Sequence, residues 1–165
     1  MSRSRSFTPE ERETWVPVVA MLELLPKRLD TQLQRDEDLT HFDFFVLSLL
    51  ALDERHMIRM SALASMSNAT LPRLSHVVTR LERRGFVRRL PTADDARATD
   101  VALTSAGRLK VIRATPGHVE NVRRYVLDAL EPEQQAQLRG IAQAVLERLD
   151  PEHRMAVTAR TRPRR

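Results

Sequence analysis

Apolar residues recur along most of this chain at spacings of three and four, and only 4 of its 165 residues are glycine. That pattern predicts a mainly helical protein. A first helix opens at Thr8-Pro9-Glu10-Glu11, where a capping hydroxyl precedes a proline and two acids suited to the positive end of the helix dipole. Trp15, Val19, Leu22, Leu25, Leu29 and Leu33 continue one face. Pro17 and Pro26 interrupt it, which predicts either one long kinked helix or two shorter ones, ending at Asp36-Glu37-Asp38. Thr40, with Asp43 three positions on, reads as the cap of a second helix. Its Phe42, Phe45, Val46, Leu49, Leu50 and Leu52 leave it apolar on most sides and therefore buried.

Ile58 and Met60 suggest a short strand, and Ser61 then caps a short third helix, residues 62–66. Ser67-Asn68-Ala69 is a tight polar connection. Thr70 caps a fourth helix, with Pro72 tolerated in its first turn. Leu74, Val77, Val78 and Leu81 form its core stripe, while Arg73, Ser75, His76, Thr79 and Arg80 lie on the other side. Gly85 stops it as a left-handed residue would. Two strands follow, residues 86–90 and 99–103, and the connection 91–98 is long enough to project. From Ser105 the chain is helical again, with Thr115-Pro116 expected to break or kink it before Val119, Val122, Val126 and Leu130. Glu131-Pro132-Glu133 starts the last helix, with Leu138, Ile141, Val145, Leu146 and Leu149 on one face. Pro151 is expected to end the ordered part, leaving a basic disordered tail. Helices at both ends carry apolar stripes that one small domain does not cover, which points to a second copy of the chain as partner.

Charge sharpens this picture. The net charge is +5, and it is not spread evenly. Residues 71–97 carry net +4 and residues 154–165 net +5, while the segments 1–70 and 98–153 are net acidic. A basic patch confined to one structural element is the footprint of a polyanion binder, although a solvated charged face is the simpler reading of any single run. There is no cysteine, which excludes disulfides and cysteine-held zinc. No apolar run approaches the ~20 residues of a membrane span, and the basic N-terminus lacks the apolar stretch of a secretory signal. A cytoplasmic location without membrane partners is expected. The histidines His41, His56, His76, His118 and His153 show no metal-binding spacing; no phosphate loop or nucleophile elbow is present. Neither an enzyme nor a metal or cofactor site is expected.

A short helix, a tight turn, a helix with a polar outer face and a two-stranded hairpin, in that order, make a winged helix-turn-helix. A helix of this kind fits the DNA major groove, flanking basic residues neutralise phosphates, and an arginine on a projecting hairpin suits the narrow minor groove. Within residues 60–108 stand Arg80-Leu81 through Gly85, Arg88 and Arg89, Asp95 and Arg97, Leu103-Thr104 and Gly107. With "HFDFFVLSLLAL" before them and "TPGHVENVRRYVLDAL" after, these spaced elements resemble the MarR family of bacterial transcription regulators over residues 10–150.

The resemblance implies a mainly α fold with a small β-hairpin wing, and N- and C-terminal dimerisation helices around a winged helix-turn-helix. The expected organisation is an N-terminal dimerisation helix at 1–38, a DNA-binding domain at 39–104, dimerisation helices at 105–150 and a basic tail at 151–165. It implies a homodimeric repressor on a pseudo-palindromic site in double-stranded DNA. Arg73, Ser75 and His76 would meet bases in the major groove, and Arg97, oriented by Asp95, the minor groove. Ser61, Asn68, Thr70, Thr79, Arg80 and Arg89 would meet phosphates, with Arg80 alternatively paired to an acid across the domain. Ala96 stands where many relatives carry a basic residue, implying a lighter wing grip, and His76 where many carry arginine. A small aromatic or anionic ligand is implied between the lobes, with Trp15, His41, Phe45, Arg113 and His118 as candidate lining. The alternative reading is a winged-helix module that binds an acidic protein or RNA and reads no DNA sequence.

Overall fold

A computed structural model describes residues 6–92 and 95–156, with the backbone alone at 95–97. Among the described residues it has six α-helices, one 3₁₀ turn and three strands. Helix α1 spans Pro9–Glu37. Thr8 and Glu11 close a reciprocal cap, the Thr8 N–H donating to Glu11 Oε2 at 2.8 Å and the Glu11 N–H to Thr8 Oγ1 at 3.2 Å. Of the two expectations, one long helix or two shorter ones, the first holds: Pro17 and Pro26 both lie inside one continuous helix. Each proline removes one hydrogen bond, but both are exposed, so water can serve the freed carbonyls. Asp38 ends the helix in the left-handed conformation.

Helix α2, His41–Leu52, carries the reciprocal cap expected of Thr40 and Asp43 and is buried along much of its length. Phe44, Val46, Leu47, Leu49 and Leu50 form the centre of the core. Strand β1, Met57–Arg59, runs directly into helix α3, Met60–Met66. This shifts the expected boundary: Met60 is helical, and Ser61 lies in the first turn while Arg59 takes the cap position without a side-chain bond. Helix α4, Leu71–Arg83, is capped by Thr70 and buries Leu74, Val77, Val78 and Leu81 as its periodicity required. Gly85 follows at φ 74°, where a side chain would be strained.

Strands β2, Val87–Thr92, and β3, Asp95–Leu103, extend further than the sequence suggested. The projecting 91–98 loop is instead largely strand: Pro91 pairs with Thr99, and Thr92 pairs with Asp95 across an irregular step. The excess residues lie on β3, between Asp95 and Thr99, at this shift of register. The sheet order is β1-β3-β2, all antiparallel, with Ile58 opposite Val101.

Helix α5, Ser105–Tyr125, is continuous through Pro116, so of the expected break or kink there is no break. Pro116 and Ile112, whose carbonyl loses its partner, are both exposed. A 3₁₀ turn at Leu127–Ala129 leads to helix α6, Pro132–Leu149. Order does not end at Pro151. The Asp150 carboxylate accepts the Arg154 and Met155 N–H groups, and Ala156 is buried in the core cluster. Residues 157–165, the remainder of the expected tail, lie outside the described residues.

Candidate nucleic-acid interface

Two threonines and one glycine set the frame of the interface. Thr70 Oγ1 accepts the Arg73 N–H and fixes where α4 begins. Thr104 Oγ1 caps α5 through the Gly107 N–H at 3.0 Å and faces the carbonyls of Gly85 and Phe86 at 2.7 and 3.1 Å. The end of the α4 turn, the start of the wing and the start of α5 thus meet at one hydroxyl. A Cβ on Gly107 would lie 2.1 Å from the Phe86 carbonyl oxygen, so only glycine admits this approach.

On that frame α4 presents Arg73, Ser75, His76, Arg80 and Arg83 to solvent, and α3 with its turn presents Ser61 and Asn68. Asn68 holds a left-handed backbone at φ 51°, which asparagine tolerates well among side-chain-bearing residues. Between the N-termini of α3 and α4 and strand β3 runs a groove of about 580 Å³, lined in part by Arg59, Ser61, Ser75, Arg89 and Thr99. Arg59, Arg83 and Arg88 are exposed and have no ion pair among the described residues. Arg59 was not singled out from the sequence. It sits at the strand-to-helix junction, and only the position of that junction, misplaced by two residues, could have flagged it.

Four other arginines near this face are already engaged. Arg80 Nη2 donates to Asp43 Oδ1 at 2.5 Å, while Asp43 Oδ2 accepts the Thr40 N–H at 3.0 Å. Asp43 is 1 % exposed, so this pair carries a buried carboxylate across the domain, the alternative role expected for Arg80. Arg84 binds the Asp38 backbone and carboxylate, and its guanidinium lies 4.9 Å from the Phe86 ring centre. Arg73 lies 4.4 Å over the Phe42 ring, which holds an exposed side chain in place at the start of α4. Arg89 is bonded to Glu82, Ser75 and Thr79. The side chains of Asp95 and Arg97 lie outside the described residues; their backbone belongs to β3.

The suggested ligand lining comes together only in part. His41 and His118 stack with ring centres 5.7 Å apart, and Phe44, not Phe45, touches His118 at 4.8 Å. Burial lowers the pKa of both imidazoles; the charge of Asp30 partly opposes this at His41, and His41 adds to it at His118. His118 Nδ1 and Gln32 Oε1 are buried without a hydrogen-bond partner. Trp15 is elsewhere. The His41 N–H bonds Asp30, and Trp15 stands about 22 Å from Asp30 along the same helix. Trp15 and Arg113 are both exposed, and Phe45 is a half-buried core neighbour.

The sequence pattern of the MarR family matches residues 39–99. The fold superposes on Sco3205, a MarR family transcriptional regulator from Streptomyces coelicolor solved in complex with DNA, with a TM-score of 0.86 and 40% identity, covering 92% of this chain and 94% of that one. AbsC, a MarR family regulator from the same organism, gives 0.84 and 32% identity, covering 90% and 99%. The HTH-type regulator YdcH of Bacillus subtilis is 35% identical over 81 residues, 48% of this chain and 55% of YdcH. The chain spans about half the length of YdcH and of a second curated relative, the HTH-type regulator PapX of Escherichia coli.

Proposed function

The chain belongs to the MarR family of transcriptional regulators, and from that premise we propose that it is a homodimeric, sequence-specific DNA-binding repressor. The observation that carries this reading is the exposed polar face of α4, flanked by unpaired arginines on both sides of the turn and wing. Arg73, Ser75 and His76 face the major groove. Ser61, Asn68, Arg59, Arg83 and Arg88 lie where phosphates would pass, and Thr70 acts chiefly as the helix cap. Arg97, with Asp95, grips the minor groove from the wing. Residues 39–104 are the DNA-binding unit, while α1 and the helices after 105 hold two copies together. Repression is by occupancy of a promoter in the cytoplasm. The contact of α1, α2 and α5 at His41, His118 and Gln32 is where a small aromatic or anionic ligand would change the spacing of the lobes and lower affinity.

No described helix is long and apolar enough to cross a membrane. The relatives are named as regulators, and the site proposed here binds without reacting.

The test is Arg97→Ala, measured by salt-dependent binding to a selected duplex. The expected loss is about 1–3 kcal/mol in affinity, that is, roughly fivefold to 150-fold. Binding unchanged by the substitution removes the wing from the interface. A protein without a steep salt slope or a preferred sequence would be an interaction module of another kind.

A further inference from the structure

Arg89 is placed on the wing strand, yet its hydrogen-bonding groups point into α4. Its backbone N–H donates to Glu82 Oε1 at 2.8 Å, and Nη1 donates to Glu82 Oε2 at 2.5 Å. Nη2 donates to the Ser75 carbonyl at 3.0 Å and to Thr79 Oγ1 at 2.9 Å, with Ser75 Oγ at 3.5 Å. Ser75, Thr79 and Glu82 are spaced by four and three, so one strip of the recognition helix supplies every partner. Both side chains of the ion pair are about two-thirds shielded from solvent. Such an arrangement uses the planar fork of arginine, which a lysine cannot reproduce.

Donor arithmetic then assigns directions. The single proton of Thr79 Oγ1 goes to the Ser75 carbonyl at 2.9 Å, and Arg89 donates to the same oxygen. Thr79 has no donor left, and a phosphate offers only acceptors, so its hydroxyl is unsuited to the phosphate contact expected from sequence. Ser75 Oγ is different. It appears only as a distant acceptor from Arg89, which leaves its proton and a lone pair free. Ser75 is therefore free to donate to purine N7, guanine O6 or thymine O4, or to accept from an amino group; what Arg89 holds is the Ser75 backbone and the face of α4 that carries it.

We propose that Arg89 and Glu82 are a positioning pair that holds Ser75 in place and ties the wing to α4, so that they set sequence preference without contacting DNA. This rests on the DNA-reading function proposed above. It replaces the phosphate role expected of Arg89.

The test is selection from random duplex DNA by the full chain and by Arg89→Lys and Glu82→Gln, with salt slopes measured on the wild-type winning sequence. In both variants, discrimination at one position per half-site should flatten by roughly fivefold while the salt slope stays unchanged. A wild-type profile retained by Arg89→Lys means charge alone suffices, and overturns the proposal. So does a salt slope lowered by about one phosphate contact per protomer in Arg89→Lys or an unaltered profile in Glu82→Gln. Thermal melting checks folding; if Arg89→Lys fails to fold, Glu82→Gln, which keeps its shape and an acceptor oxygen, decides alone. A wild-type chain that enriches no sequence refutes the DNA-reading function itself, an outcome visible before any variant is compared.

Discussion

At Gly107 two effects of opposite sign meet. An alanine would favour the helix by about 1 kcal/mol. Its Cβ would also strike the backbone oxygen of Phe86 at 2.1 Å and the Leu103 side chain at 2.8 Å, and backbone cannot step aside cheaply. The clash wins, so Gly107→Ala should destabilise the fold by about 1–3 kcal/mol net and lower the melting temperature by several degrees. An unchanged or raised melting temperature would show that α5 shifts freely against the wing. The threonine caps at 8, 40 and 70 were legible because capping depends on residues three positions apart. The role of Arg89 was not, because its partners lie 7 to 14 residues away on another element. A basic residue on a strand next to a reading helix looks like a phosphate contact until its acceptors are seen.

At the level of elements, type and order followed from periodicity, while the prolines left open whether a helix continues or breaks. Pro17, Pro26 and Pro116 sit inside continuous helices because each faces solvent. Sequence shows the missing donor but not the exposure that leaves the freed carbonyl open to solvent. The hairpin was drawn too short for a related reason: strand pairing across an irregular step leaves no period-two signal. The contact of α1, α2 and α5 around His41 and His118 was legible only through the family resemblance, which grouped the two histidines with Trp15, Phe45 and Arg113. It carries a pH prediction. Both imidazoles have pKa values lowered from 6.5, chiefly by burial, so the unfolded chain takes up protons first as pH falls. Their contribution to stability is intact above the unfolded value and is lost as pH drops from 6.5 through the lowered folded values. Denaturant titrations between pH 7.5 and about 5 should show this loss, and His118→Phe should reduce its slope. A slope unaffected by that substitution would place the acid sensitivity elsewhere.

Across the whole molecule, apolar surface is unevenly placed. Ile141, Val145 and Leu149 on α6 are 63, 51 and 74 % exposed, and α6 has no buried residue. Trp15, Val16 and Leu22 on α1 and Ile112, Val119 and Tyr125 on α5 are exposed as well. Single exposed apolar residues need no explanation, but three helices with such faces around a well-packed core do. A second copy would cover them, in keeping with the apolar stripes already visible in the sequence. Ile141→Glu combined with Val145→Glu should shift the mass in sedimentation from dimer to monomer and weaken DNA binding with it. A dimer that survives both changes would exclude this face of α6 from the interface.

The central claim is that two copies of this chain read one symmetric DNA sequence through α4, and the most direct measurement is selection from random duplex DNA at near-physiological salt. The account predicts a two-fold symmetric motif with half-site centres about ten base pairs apart, bound with a steep salt dependence. Enrichment of no motif, or of a single asymmetric half-site by a chain that is monomeric in solution, would contradict it.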